Sequence, residues 1–153
     1  MLERIEVKVK CLHPIWEQYQ LQYATEHSAG LDLRACIEQD SVVLHPGEKY
    51  NFPCGLALEI VSPGVAGFIF SRSGLGTRQG LVVSQGVGVV DPDYRGQIRV
   101  SLHNTSSQKQ EITKGQRIAQ LLFLPAYQAR INLVKNLNQT NRGSGGFGHS
   151  GRS

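Results

Sequence analysis

The chain has 153 residues and a mass of 16.8 kDa, the size of a single domain that can bury a hydrophobic core. No apolar run approaches the ~18 residues of a membrane span, and the charged, alternating amino-terminus is unlike a signal peptide. The 17 glycines follow no triplet period, which excludes a collagen-like chain. Three cysteines without CxxC spacing predict free thiols and a reducing, cytoplasmic location.

The charge is unevenly distributed along the chain. The net charge is +4, yet Asp91 and Asp93 are the only acidic residues between positions 60 and 110, and none follows Glu111. A basic surface attracts nucleotide phosphates, nucleic acid or acidic lipid, although an ordinary soluble basic protein has the same composition. The glycines cluster too, with eight at positions 64–96 and five at positions 143–151.

Alternation of apolar and polar residues predicts strands at 5–9 and 98–103, and short apolar runs predict the others. Pro46-Gly47, Pro63-Gly64 and Lys114-Gly115 are expected to separate them. At most one short helix is expected, at 75–79 after the potential cap Ser73. This pattern predicts an all-β sandwich or barrel in one domain, residues 1–153. The predicted strands are 5–9, 41–44, 56–61, 65–70, 81–84, 87–90, 98–103, 117–124 and 131–134.

The carboxy-terminal residues 141–153 form a glycine-rich arm that we expect to be flexible. Glycines let a backbone approach phosphate closely, Arg142 offers a bidentate fork, and Phe147 can stack on a base. A frayed terminus is the alternative interpretation. The composition favours an arm that folds over a nucleotide.

Three internal segments are candidates for a phosphate-hydrolysing site. Residues 71–76 follow a predicted strand and place Arg72 and Ser73 where backbone donors can face an anion. Asp91 and Asp93 lie in an arginine-rich region, where a carboxylate could take a proton from water, although Asp-Pro is also ordinary turn chemistry. In residues 115–121, strict alternation would place Arg117 and Gln120 on opposite faces unless a bulge intervenes.

These four segments, together with residues 29–35, resemble the five motifs of the trimeric dUTPase family, bacterial type. The order along the chain matches, and the resemblance covers nearly the whole chain. The five segments are Ala29–Ala35, Arg72–Gly76, Gly88–Gly96, Gly115–Leu121 and Arg142–Gly148.

The resemblance implies a distorted jelly-roll subunit in a homotrimer with shared active sites, and no nucleic-acid or membrane partner. It also implies hydrolysis of dUTP to dUMP and pyrophosphate with Mg²⁺ on the triphosphate, which limits uracil incorporation into DNA and supplies dUMP for dTMP synthesis. Asp91 would be the general base and Tyr94 would exclude a ribose 2′-hydroxyl. Asp32 would contact metal-bound waters as an outer-shell group, with no direct protein ligand to the metal, and Arg117 would support the site.

The remaining roles concern substrate binding. The hairpin from Ser84 to Val90 would bind uracil, with Gln85 in place of the family's frequent asparagine. Arg142 and Ser144 would meet the γ-phosphate, and Phe147 would stack on uracil. The other implied substrate-binding residues are Arg72, Ser73, Gly74, Gly88, Val90 and Gln120.

Two alternatives are less well supported by the residues. The related dCTP deaminases use a glutamate in the base pocket, whereas this chain has no glutamate between Glu59 and Glu111. A non-catalytic nucleotide or single-strand binder would use the basic residues and Phe147 but leave Asp91 without a role. Ser71, in place of a common proline, and the segment 77–80 also depart from the family pattern.

Overall fold

The structure is a computed structural model that describes residues 4–145. Within them the chain forms eleven β-strands and two short helices, and every strand pair is antiparallel. In chain order the elements are β1 (Val7–Cys11), α1 (Ile15–Gln18), β2 (Leu31–Arg34), β3 (Ser41–Leu44), β4 (Lys49–Pro53), β5 (Leu56–Ile60), β6 (Val65–Ser71), α2 (Ser73–Gln79), β7 (Leu81–Val83), β8 (Gly88–Val90), β9 (Arg99–Asn104), β10 (Gln110–Thr113) and β11 (Arg117–Pro125).

The strands form four small sheets around a common apolar core. A four-stranded sheet has the order β2-β11-β6-β8, and a three-stranded sheet has the order β4-β9-β7. Two ribbons, β1-β5 and β10-β3, complete the fold. The largest fully buried side chains come from several of these sheets, which places the core between them: Phe52, Leu33, Ile37, Leu44, Leu56, Leu81, Ile98 and Leu102.

The all-β class predicted from the alternation is confirmed. In β9, for example, Val100, Leu102 and Asn104 point inward and alternate with more exposed residues. The predicted breakers are turns in which Gly47, Gly64 and Gly115 have φ of 81°, 69° and 80°. Such positive values favour glycine because it lacks a Cβ.

The structure contains two helices, one more than the sequence pattern predicts. Helix α2 includes the expected helical turn, but Ser73 is its first residue rather than its cap: Arg72 stands at the N-cap and makes no side-chain cap hydrogen bond. Helix α1 spans four residues and also lacks a side-chain cap. Tertiary contacts hold α1, because Ile15 and Trp16 are buried and the Trp16 Nε1–H donates to the Cys54 carbonyl oxygen at 2.9 Å. Burial and one long-range hydrogen bond thus replace the local signals that sequence analysis uses.

Three strands were not predicted, and one predicted strand does not form. Strands β2, β4 and β10 are short and rich in polar residues; β4 ends at Pro53, which an edge strand tolerates. The prediction at 131–134 was wrong for this chain, since these residues lie outside every strand and Ile131 and Leu133 are 75% and 96% exposed. Among residues 4–145, this segment has no neighbouring strand to pair with.

The cysteines form no disulfide, as the spacing predicted. Burial raises the pKa of the Cys36 thiol to about 11, and burial raises that of Cys54 further. Both therefore stay protonated near neutral pH, while Cys11 is exposed. Among the described residues, no helix is long and apolar enough to cross a membrane.

Candidate active site

An aspartate and two arginines meet on the outer face of the four-stranded sheet; we call Asp32, Arg72 and Arg117 the arginine–aspartate cluster. Arg72 Nε lies 3.0 Å from Asp32 Oδ1, and Arg117 Nη1 lies 3.1 Å from Asp32 Oδ2. The Arg117 contact is an aligned hydrogen bond. Oδ1 and Nε are close but misaligned, so each is buried without a hydrogen-bond partner. The cluster thus carries one excess positive charge and unused donor and acceptor capacity.

A β-bulge brings Arg117 and Gln120 to the same face. Arg117 pairs with Arg34 and Ala119 pairs with Leu33, so Ile118 is the extra residue in β11. Beyond the bulge, Gln120 lies opposite Asp32. Without the extra residue the two polar side chains would point to opposite sides of the sheet. The sequence left this alternative open, and the bulge decides it.

Arg34, which the sequence analysis did not single out, holds the turn that precedes Arg117. Its Nη1 donates to the Gly115 carbonyl oxygen at 2.7 Å, and its guanidinium lies 3.9 Å above the Tyr19 ring. Gly115 also packs tightly, since a Cβ there would lie 3.1 Å from Ile15 Cδ1. Helix α1 therefore contributes to the site by supporting this turn. Arg34 stands two residues after Asp32, and this spacing was the available signal.

The start of α2 lies beside the cluster. Arg72 is the residue before the helix, and its carbonyl oxygen accepts from the Gly76 N–H at 2.9 Å. Ser73 and Gly74 occupy the first exposed turn, where backbone N–H groups have no partner within a helix. These donors and the guanidinium of Arg72 suit an anion such as phosphate. The structure therefore places Arg72, Ser73 and Gly74 side by side at the start of α2.

A second group of predicted residues lines a cleft of about 220 Å³ beside β8; we call it the β8 cleft. Ile69 contributes to its wall, and Gln85 enters it from the turn before β8, where its Oε1 accepts from Ser84 Oγ at 3.1 Å. Strand β8 pairs only with β6, so one edge of its backbone has no strand partner within residues 4–145. Predicted site residues in the lining are Gln85, Gly88, Val90, Asp91 and Tyr94.

Asp91 stands at the end of β8 with its carboxylate exposed. Within the described chain its side chain has no hydrogen bond or ion pair. The turn that follows is closed by other groups, since the Tyr94 N–H donates to the Asp91 carbonyl oxygen at 3.1 Å and Arg95 Nη1 donates to the Pro92 carbonyl oxygen at 2.7 Å. Within residues 4–145 the Asp91 carboxylate is therefore not engaged by another group of the chain.

Among residues 4–145, the two groups and the described carboxy-terminal residues are not joined by side-chain hydrogen bonds or ion pairs. No side-chain hydrogen bond or ion pair among residues 4–145 connects the β8 cleft with the arginine–aspartate cluster. Arg142 and Ser144 are exposed, and Arg142 Nε donates to the Gly145 carbonyl oxygen at 3.0 Å in a local turn. Phe147, the predicted stacking residue, lies outside the described residues.

A larger cavity of about 530 Å³ lies beside α1, but it contains none of the predicted residues. Two of its polar side chains contact Glu38: His13 Nε2 lies 3.8 Å from the Glu38 carboxylate, and Lys114 Nζ donates to the Glu38 carbonyl oxygen at 3.3 Å. The β8 cleft is the better candidate for the active site, because five of the predicted residues line it. No group of three potential metal ligands occurs among the described residues.

Comparison with known proteins places this site in a family. The chain is 49% identical to the deoxyuridine 5'-triphosphate nucleotidohydrolase of Cronobacter sakazakii and 46% identical to that of Escherichia coli O1:K1, each over 99% of both chains. Its fold matches a mutant dUTPase of Staphylococcus bacteriophage 80alpha solved with dUpNHpp (TM-score 0.83, 24% identity, 96% and 99% of the chains). It also matches a mutant phage phi11 dUTPase with a structural Mg(II) ion (TM-score 0.75, 21% identity, 88% and 99%). The dUTPase family model matches residues 17–151, and the chain belongs to the dUTPase family.

Proposed function

We propose that this protein is a dUTP diphosphatase that hydrolyses dUTP to dUMP and pyrophosphate. The observation that carries the proposal is the unpaired edge of β8, with Asp91 at its end and Tyr94 in the following turn. The relatives' names support it, since they are deoxyuridine 5'-triphosphate nucleotidohydrolases. In the cell this reaction would occur in the cytoplasm, limit uracil incorporation into DNA and supply dUMP for dTMP synthesis.

The free edge of β8 suits recognition of uracil. A strand edge presents alternating N–H and C=O groups, and uracil presents alternating carbonyl oxygens and one N–H. Cytosine places an amino group where uracil has a carbonyl oxygen, so the same backbone donor would face another donor. The turn and strand from Ser84 to Val90, with Gln85, Gly88 and Val90, would hold the base. Phe147 would then stack on its face.

Asp91 would act as the general base. Its carboxylate accepts a proton from water while the water oxygen forms a bond to the α-phosphorus. The bond from that phosphorus to the oxygen bridging the α- and β-phosphates breaks, and pyrophosphate departs with the electron pair. A base that has no competing side-chain partner can take up the position that this transfer requires.

The arginine–aspartate cluster would bind the triphosphate. Arg72, Ser73, Gly74 and Gln120 would donate to phosphate oxygens, and Arg117 would stay paired with Asp32. Such prepositioned donors stabilise the charge that develops on the leaving pyrophosphate. Arg142 and Ser144 would reach the γ-phosphate when the arm, residues 141–153, closes over the site.

Mg²⁺ would arrive with the triphosphate, and the chain's residues fit that role. Phosphate oxygens and water would hold most of the cation's coordination positions, as is usual for Mg²⁺. Asp32 Oδ1 is buried and lacks an aligned donor, so it can accept from a metal-bound water. When bound, Mg²⁺ neutralises phosphate charge.

A homotrimer would join the separated parts of the site. The outward face of β6, β8 and β11 carries four apolar side chains: Phe68, Phe70, Leu122 and the 63%-exposed Val89. An apolar surface of this kind commonly marks a contact between subunits. The segment 127–137 exposes five large apolar side chains: Tyr127, Ile131, Leu133, Val134 and Leu137. Sedimentation equilibrium would test the assembly; a mass near 17 kDa at micromolar concentration would contradict it.

Incubation with each deoxynucleoside triphosphate and with UTP, in the presence of Mg²⁺, tests the proposed reaction. We expect pyrophosphate release from dUTP and little from the others. Ammonia release from dCTP would favour a deaminase instead. Nucleotide binding without turnover would favour the non-catalytic alternative.

A further inference from the structure

Tyr94 occupies its position only because residue 96 has no side chain. The phenol ring folds back over its own turn, and a Cβ built on Gly96 would lie 2.6 Å from Tyr94 Cζ and 2.9 Å from Cε2. Real Cβ atoms essentially never approach another heavy atom this closely, so something would have to move. Any other residue at position 96 would displace the ring.

The backbone itself does not require glycine at position 96. Gly96 is not among the glycines with positive φ, which are residues 47, 55, 64, 80, 86, 115 and 143. An alanine can therefore adopt the same backbone conformation without the strain of the left-handed region. The conflict would lie with the ring of Tyr94, which is the end of a movable side chain.

Other contacts fix the turn but leave one side of the ring free. The Tyr94 hydroxyl donates to the Gln97 carbonyl oxygen at 3.2 Å, and Arg95 Nη1 donates to the Tyr94 carbonyl oxygen at 3.2 Å. Tyr94 is still 46% exposed, and it lines the β8 cleft together with Asp91. The ring is thus held against Gly96 on one side and is available to a ligand on the other.

We propose that Gly96 is a positioning residue for sugar selection: by lacking a Cβ it lets the Tyr94 ring lie back just far enough to accept deoxyribose and reject a 2′-hydroxyl. The inference rests on the proposed function. It makes the residue at position 96 responsible for how far the Tyr94 ring extends into the sugar site. A side chain there would push the ring and change the shape of the wall that the sugar meets.

The test measures selectivity, defined as kcat/KM for dUTP divided by kcat/KM for UTP, in a double-mutant cycle. Gly96→Ala should lower selectivity by about 10- to 100-fold, the range that contacts of one or two atoms contribute to discrimination. Tyr94→Ala should lower it similarly. Gly96→Ala/Tyr94→Ala should match Tyr94→Ala, because the added methyl group then has no ring to displace.

Tyr94→Phe separates the ring's position from its hydrogen bond. It removes the hydroxyl that reaches Gln97 but keeps the ring over Gly96, so selectivity should stay within about threefold of wild type. A loss as large as that of Tyr94→Ala would assign the ring's position to the hydroxyl and overturn the role of Gly96.

The remaining outcomes also test the role of Gly96. Wild-type selectivity in Gly96→Ala would overturn the inference, and so would a double variant that loses as much again beyond Tyr94→Ala. If Gly96→Ala alone does not fold, the double variant should fold, and its failure would place the conflict elsewhere than at Tyr94. Absence of dUTP turnover in the wild type would instead contradict the proposed function.

Discussion

The two carboxylates of the site differ in their surroundings. Asp32 lies between two arginines in the arginine–aspartate cluster, with its side chain 16% exposed. Asp91 is exposed at the end of β8, with no side-chain partner among residues 4–145. A carboxylate beside two cations organises charge, whereas one without a partner can accept a proton. Under the proposed function, substrate binding and proton transfer would therefore belong to separate regions of the chain.

The largest expected effect comes from removing the free carboxylate. Asp91→Asn keeps the shape but cannot accept the proton, so kcat should fall by about 10²- to 10⁴-fold. The affinity for the non-hydrolysable analogue dUpNHpp, measured by calorimetry, should stay nearly unchanged. Substantial remaining turnover would exclude Asp91 as the base. Asp93→Asn is the matched control, and it should retain activity.

Deleting residues 142–153 tests whether the two regions suffice without the arm. The truncated chain loses Arg142, Ser144 and Phe147, and kcat/KM should fall by about 10²- to 10³-fold, the effect of removing prepositioned donors. Circular dichroism should show an unchanged fold, because residues 142–144 are exposed and none of them belongs to the buried core. Full activity of the truncated chain would refute the arm's role.

Asp32→Asn tests the second carboxylate, which lies in the arginine–aspartate cluster. It removes the charge that holds Arg72 and Arg117, and kcat/KM should fall by about 10- to 100-fold, as is typical for groups in the outer shell of a metal site. The loss should exceed that of Asp40→Asn, a control on a loop whose side chain makes no ion pair in the described part of the chain. A full loss, equal to that of Asp91→Asn, would break the distinction between the two carboxylates.

The smallest effect is expected at Ser71, which joins the end of β6 to the end of β7. Ser71 ends β6 just before Arg72, and its Oγ accepts from the Val83 N–H at 2.8 Å, at the end of the strand that leads to the β8 cleft. Ser71→Ala leaves that N–H without its partner and should lower the free energy of unfolding by about 1–3 kcal/mol. Ser71→Thr retains the hydroxyl and should be near wild type in denaturant unfolding. Equal stability of all three proteins would contradict this connection.

This serine also shows how a departure from a family pattern can be explained by structure. Proline at position 71 would lack the hydroxyl that accepts from Val83. Sequence comparison marked the difference without giving its consequence. The hydrogen bond, which joins residues twelve positions apart, supplies that consequence.

The sequence by itself determined the local features of this protein. Alternation predicted β9, because side chains of a half-buried strand must alternate between core and solvent, and short apolar runs predicted β3, β5 and β6. The glycine-containing turns followed from backbone conformations that other residues adopt at a cost. The motif residues identified the family, since their order along the chain is specific.

Tertiary structure decided everything that depends on partners distant in sequence. The bulge at Ile118, the support of Arg34 and Tyr19 for Gly115, and the formation of α1 require neighbours that no local window contains. The same reason explains the failed prediction at 131–134. A short apolar run forms a strand only where another strand offers its free hydrogen-bonding groups. Asp32 and Asp91 are both recognisable in the sequence, but only the fold gives one two arginines and leaves the other free.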